Sequence, residues 1–354
     1  MAHALASKGA QVQVLDDRDP GMGASQASAG LLAPSFDTRA SDLLRLSRAS
    51  LAMYDSFMSR LRFETGTAVE YARRGMLKIA TTEAESDELA SAAAQLFEVD
   101  IPHTFLLRDD VKRSEPALGD AVLTGLLVPA YGYVSVPALV ATLADAAARR
   151  GVSFTRGRVE SLTPGGSGVT ATTADGTIQA DAVVVTTGSW ASSLLPADAL
   201  RVVPIRGQLL YLRARPGLLS HVVYSEHCYL VPWQDGTVLA GATVEDVGFD
   251  ERSTPEGTER LKEAAATLVP ELIDAEVEAV RVGLRPRGRD EVPIIGAVPG
   301  MPHVFCAIGH YRNGVILAPL TAALVTDLVL GGTARPELAL VRPDRPTLTG
   351  GHGA

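Results

Sequence analysis

The opening stretch MAHALASKGAQVQVLDD places two acids, Asp16 and Asp17, at the end of a short apolar run that follows Gly9. In a dinucleotide-binding βαβ unit, glycines open a helix on which the pyrophosphate rests. An acid about 20 residues later, at the end of the second strand, holds a ribose hydroxyl. Asp16 sits where that acid belongs. Counting back puts the glycine loop just before Met1. The expectation is therefore that Met1 is an internal methionine of a longer protein, or that the chain as written binds the nucleotide poorly. The same residues also suit an acid that ends a strand in a solvated turn, and on this stretch alone both readings stand. Metal chemistry has no such support, because Cys228 and Cys306 are the only cysteines and show neither ligand spacing nor a disulfide framework.

An acid in that role needs a helix before its strand and a buried parallel layer beside it. Met1, Ala4, Leu5 and Lys8-Gly9 fit the last turns of a helix, and Gln11–Leu15 the strand. Leucines and aromatics recur at helical spacing from Leu43 to Gly66. Residues 73–100 read as a strand, a capped acidic helix start and a helix. A helix from about Pro137 ends at Arg149-Arg150-Gly151, followed by strands at Val152–Thr155 and Val159–Leu162. An antiparallel excursion comes next, with strands Val169–Thr173 and Thr177–Ala180. The apolar strand Ala182–Val185 then ends on Thr186-Thr187-Gly188. This order suggests a nucleotide-binding α/β layer. From Val202 to Val244 short alternating strands suggest an antiparallel substrate-binding sheet. A helix capped by Ser253 or Thr254 follows, then a strand, a glycine-bracketed loop and a helix. A Pro- and Gly-rich tail from Thr333 reads as loosely ordered.

At 354 residues with 46% hydrophobic and 21% charged residues, the chain reads as an ordinary globular protein. A net charge of −9 argues against nucleic-acid or anionic-membrane partners, which want basic patches. The apolar stretch from Val315 contains Pro319 and Asp327 and falls short of the ~20 residues of a membrane span, so it reads as a buried helix. Without an apolar signal segment, and with two thiols suited to a reducing compartment, a cytoplasmic location is expected.

Beyond these patterns, PGMGASQASAGLLAP, DAVVVTTGSWA, YSEHCYLVP, GATV, VGLRPRGRDEVPIIGAVPG and GHYRNGVILAP stand in a fixed order. Together they resemble the FAD-dependent oxidases of the D-amino-acid oxidase superfamily, in particular its glycine-oxidase branch, which serves thiamine thiazole synthesis. The resemblance runs from Met1 to about Gly331. It implies an α/β (overall α+β) fold: a Rossmann-like FAD-binding domain, without its first strand and G-x-G-x-x-G loop, and a second, mostly antiparallel substrate domain. Residues 1–45, 137–200 and 283–332 would form the first domain, and 46–136 with 201–282 the second.

The resemblance also implies site residues. Ser25, Gln26, Ala29 and Gly30 would approach the cofactor phosphates and flavin, with Leu31-Leu32 over the ring. Val159 would serve the adenine side, Gly188 the close passage of the chain, and Asp16 the ribose. Amides of Asn313, Gly314, Val315 and Ile316, at a helix N-terminus, would face the edge of the flavin that becomes anionic on reduction. Arg285 would hold the substrate carboxylate in its guanidinium fork, with Tyr229 helping and Arg312 nearby. A structural ion pair of Arg285 with Asp290 or Glu291 is the competing reading. His227, two residues from Tyr229, would share its strand face at the entrance. Val244 stands where the branch carries methionine after GAT, which would alter the pocket.

The implied reaction is transfer of a hydride from the amino-acid Cα to flavin N5, with no general base, then release of imine or 2-oxo acid. Oxygen would take the electrons and give hydrogen peroxide. FAD would be held noncovalently, since no cysteine matches the tethering position of related sarcosine oxidases. The implied partners are a small amino acid (glycine, sarcosine or a small D-amino acid) and oxygen; the sequence sets no homo-oligomeric state. Two alternatives stay open: a dehydrogenase with another electron acceptor, and a truncated, FAD-poor, non-catalytic chain.

Overall fold

The computed structural model describes residues 1–34, 41–195, 200–333 and 335–349. Local end signals decide where its helices stop. In Asp42–Thr65 the Ser41 side chain accepts from the Leu44 amide at 3.2 Å, and Gly66 ends the helix in the left-handed region at φ 74°. Its buried face, including Leu44, Leu51, Tyr54, Met58 and Leu61, packs against the helices Val136–Arg149 and Ala318–Leu330. Glu83–Glu98 begins with a full capping box between Thr82 and Glu85. Of the two caps expected ahead of Pro255–Leu268, Thr254 does the work, accepting from Gly257 at 3.2 Å.

The expected parallel layer is present in two pieces. Gln13–Asp16 pairs in parallel with Ser153–Arg156, setting Asp16 opposite Arg156. Val183–Val185 pairs in parallel with Val304–Ile308, which is antiparallel to Ile294–Ala297. Among the described residues the two pieces do not join, so Gln13–Asp16 and Val183–Val185 each present an unpaired edge to one cavity. The excursion forms as expected, with Val169–Thr173 between Val159–Pro164 and Gly176–Ala180.

The second layer is an eight-stranded sheet. Its order is Glu276–Arg287, Val203–Arg213, Thr237–Gly241, Tyr229–Pro232, Val222–Tyr224, Met76–Ala80, Thr124–Val128 and Thr104–Leu107. All pairs are antiparallel except Val222–Tyr224 with Met76–Ala80. Glu276–Arg287 is one continuous strand, so the domain boundary expected at 282/283 falls inside it. One buried cluster runs from Leu46 and Tyr54 through Leu209 and Leu239 to Leu320 and Val325, tying the large sheet to the helices.

The stretch from Val315 forms the buried helix Ala318–Leu330, and no helix among the described residues is long and apolar enough to cross a membrane. Where composition predicts a loose tail, Leu338–Val341 and Pro346–Thr349 are helical. The correction has a physical cause. Arg345, buried, binds Asp290 and the carbonyls of Val292 and Pro293, a contact some 50 residues distant that local composition does not encode. Residues 350–354 of that expected tail lie outside the described residues.

Candidate active site

A continuous cavity of about 2530 Å³ runs between the two layers, well beyond the roughly 300–1,000 Å³ of an ordinary small-molecule pocket. At one end stands Asp16, the exposed last residue of its strand. Its Oδ1 accepts from the Arg18 amide at 3.0 Å, and its second oxygen accepts from nothing among the described residues. Val159, at the start of its strand, and Gly188, at φ +54°, line the same cavity. A Cβ at Gly188 would meet nothing, so the left-handed turn rather than space selects glycine there.

The loop after Asp16 forms a short 3-10 turn, Ala24–Ala27, against the large sheet. Ser25, Ala29, Gly30 and Leu31 line the cavity, as expected. Gln26 does not, because its amide turns back to donate to the Met22 carbonyl at 3.1 Å. Leu32 is fully buried in the core instead of covering a ligand.

The loop before Ala318–Leu330 completes the opposite wall. Asn313, Gly314, Val315 and Ile316 all line the cavity. The Asn313 amide is spent on the His310 carbonyl at 2.8 Å, whereas those of Gly314, Val315 and Ile316 donate to nothing among the described residues. Three free amides ahead of a 13-residue helix favour a negative partner. Tyr54 anchors this loop by donating to the Val315 carbonyl at 2.5 Å.

The cavity thus offers a dinucleotide such as FAD an exposed carboxylate at one end and an anion-favouring amide cluster at the other. Gly21 and Gly23 line the same cavity, and the turn they form opens only the four-residue 3-10 turn Ala24–Ala27.

Beside the free amides stand the substrate candidates. Arg285 comes from the Glu276–Arg287 strand, half-buried, with Nη1 donating to the Thr243 carbonyl at 2.9 Å. Its competing acid Asp290 is taken by Arg345, and among the described residues Arg285 makes no ion pair. Burial pulls its pKa down while Tyr229 opposes the shift, and an arginine remains a cation at neutral pH. Burial pushes the Tyr229 phenol up to about 12, so its hydroxyl stays a donor. Its ring stacks on Tyr224, with centroids 6.3 Å apart. Arg312 is exposed, lies 5.0 Å from the Tyr311 ring centroid, and likewise has no ion-pair partner among the described residues.

His227 differs from expectation. The strand begins at Tyr229, so two-residue alternation does not apply, and His227 sits exposed in the hairpin turn. It meets Glu85 and Glu226 at the cavity mouth. Val244 also lines the cavity, half exposed, in a strap held on both sides. Arg206 binds Glu245 and Asp250 beneath it, while Arg18 forks onto Glu251 and lies 4.6 Å from the Trp190 ring centroid.

Sequence reasoning missed Tyr54, Tyr224 and His310. Only Tyr224 left a signal, since YSEHCYLVP holds two tyrosines that a hairpin sets face to face. His310 lies within hydrogen-bond distance of Thr321, with Nε2 3.0 Å from Oγ1, and burial brings its pKa down to about 4.

An α/β layer and an antiparallel sheet enclosing one dinucleotide-sized cavity define the class: the chain belongs to the DAO family of FAD-dependent oxidoreductases, whose family model matches residues 1–328. Within it the chain is similar to the glycine oxidase of Geobacillus kaustophilus, at 36% identity over 331 residues, 92% of this chain and 88% of that protein. The crystal structure of glycine oxidase from Geobacillus kaustophilus matches with a TM-score of 0.93 at 34% identity, covering 97% and 94% of the two chains. The bifunctional protein ThiO/ThiG of Synechocystis is 35% identical over 349 residues, 96% of this chain and 51% of that longer protein.

Proposed function

We propose that the protein is an FAD-dependent oxidase of glycine or another small amino acid, such as sarcosine or a small D-amino acid. The observation that carries this reading is the pairing of Arg285, without an acidic partner among the described residues, and Tyr229 on the same cavity as the free amides of Gly314, Val315 and Ile316. A carboxylate needs a fixed cation and donor, and no acid among the described residues neutralises this one first.

When bound, FAD would supply the acceptor for one hydride, which carries both electrons of the oxidation. The chain's own residues do the rest by placement. Arg285 takes the substrate carboxylate and Tyr229 adds a hydroxyl donor. The amides of Gly314, Val315 and Ile316, with the helix behind them, favour negative charge on the facing wall. Asp16 holds the ribose, and Ser25, Ala29, Gly30, Leu31, Val159 and Gly188 line the path between the two ends. No side chain is needed as general base if the amine arrives neutral. With oxygen as final acceptor, glycine, oxygen and water give glyoxylate, ammonia and hydrogen peroxide.

Noncovalent FAD is favoured by the thiols. Cys228 and Cys306 are buried and pushed up to about 12 by burial, so neither is a ready nucleophile. The likeness to ThiO/ThiG supports a role of the imine product in thiamine thiazole synthesis. The test is peroxide formation by FAD-loaded protein with glycine, sarcosine and D-alanine. Peroxide from at least one of them supports the reading, and none from any of them contradicts it.

A further inference from the structure

The Arg285 guanidinium lies where a side chain of Gly207 would be. A Cβ on Gly207 would stand 2.2 Å from Nη2, 2.3 Å from Cζ and 2.5 Å from Nη1 of Arg285. The sheet register explains this overlap. Arg285 is directly opposite Ile205, and Gly207 is two residues further along that strand on the same face, so the long side chain crosses diagonally over the glycine. Gly241 stands in the same relation to Tyr229, its direct cross-strand partner. A Cβ there would meet the hydroxyl oxygen at 2.6 Å and the ring at 2.7 Å. The two polar groups assigned to the substrate carboxylate therefore both lie flat on bare backbone, on neighbouring strands of one sheet.

We infer that Gly207 and Gly241 form a glycine floor that positions Arg285 and Tyr229, and that Gly207 in particular sets the depth of the carboxylate site. The inference rests on the proposed role of Arg285 in binding the substrate carboxylate. Gly207 touches no substrate atom in this reading; it acts through Arg285 as a positioning residue. The close contacts at Gly207 are all with the far end of one flexible side chain, so alanine there lifts the guanidinium without disturbing the strand. A displacement of about an ångström is enough to cost a large factor in productive binding.

The experiment compares wild type, Gly207→Ala, Arg285→Lys and the double variant, all loaded with FAD. It reads KM and kcat for the best amino acid and inhibition by acetate, a bare carboxylate. The expected result is a rise of about tenfold or more in KM and in the acetate inhibition constant for Gly207→Ala, with kcat within about threefold. In the Arg285→Lys background the same alanine changes KM less than twofold, because the slimmer ammonium does not fill the slot. A soluble, FAD-loaded Gly207→Ala with unchanged KM and acetate inhibition, beside an Arg285→Lys that raises both, overturns the floor alone. If Arg285→Lys leaves KM and acetate inhibition unmoved, the carboxylate reading falls and the floor with it. An alanine variant that folds only beside Arg285→Lys supports the floor. One that fails to fold in both backgrounds overturns it.

Discussion

Arg345 grips Asp290 at both ends of its guanidinium, Nε to Oδ2 at 2.9 Å and Nη2 to Oδ1 at 2.7 Å. The acid nearest to Arg285 in sequence, five residues away, is thereby engaged by another arginine. Burial alone would raise the Asp290 carboxyl, yet hydrogen bonds from Arg345 and Thr347 bring it below the ordinary aspartate value.

Arg345→Ala leaves that half-buried carboxylate without a cation, held only by the Thr347 hydroxyl and the Val292 amide. The expected cost is about 3 kcal/mol of stability at neutral pH, read by urea unfolding. A loss below about 0.5 kcal/mol would show that the pair carries little of the fold.

Tyr54→Phe removes the donor that holds the Val315 carbonyl in the loop before Ala318–Leu330. The hydroxyl is lost and the Val315 carbonyl keeps only the Ala318 amide at 3.0 Å, so the variant loses about 1 kcal/mol. Flavin affinity should fall with it, since the same loop carries the free amides. Titration of apoprotein with FAD, followed by fluorescence quenching, checks the second effect.

His310 makes stability depend on acid. Its native pKa of about 4 lies below the ordinary histidine value of about 6.5, so the unfolded chain takes the proton first. Its contribution is fully present above about pH 6.5 and is lost as pH falls through about 4. Across that window stability drops by up to about 1.4 kcal/mol per pH unit from this group alone. His310→Gln keeps a partner for Thr321 and flattens the slope; an identical slope in both proteins would exclude His310 as its source.

Asp16→Asn keeps an oxygen for the Arg18 amide and the turn it makes. What it removes is the charge offered to a ribose hydroxyl. FAD affinity is expected to drop about tenfold, roughly 1.4 kcal/mol, with thermal stability of the apoprotein unchanged. Equal affinity in the two proteins would return Asp16 to a plain strand-end residue.

Much of this was legible in the sequence where the determinant is local. Ser41, Gly66, the Thr82–Glu85 box and Thr254 are end signals within four residues of what they govern. The strand ending at Asp16 and the buried helix from Ala318 announced themselves by apolar patterning. The ordered order of short motifs carried the family. What stayed hidden depends on pairing across the chain. Arg345 meets Asp290 from the far end, and Gly207 matters only because register sets it beside Arg285. His227 was misplaced for a related reason. Alternation applies within a strand, and the strand starts two residues later than the pattern suggested. Gln26 turned away because a backbone carbonyl four residues back satisfied its amide.

The proposed function rests on Arg285 holding an amino-acid carboxylate where the substrate Cα–H can be oxidised. Its most direct test is anaerobic mixing of the FAD-loaded protein with glycine, sarcosine or D-alanine while the visible flavin band is followed. Bleaching by at least one of them is expected. With Arg285→Ala, half-maximal bleaching should need about a hundredfold more substrate, the loss of a charge-assisted pair worth roughly 3 kcal/mol. A flavin band that none of the three amino acids bleaches, or bleaching equally efficient without Arg285, would contradict it.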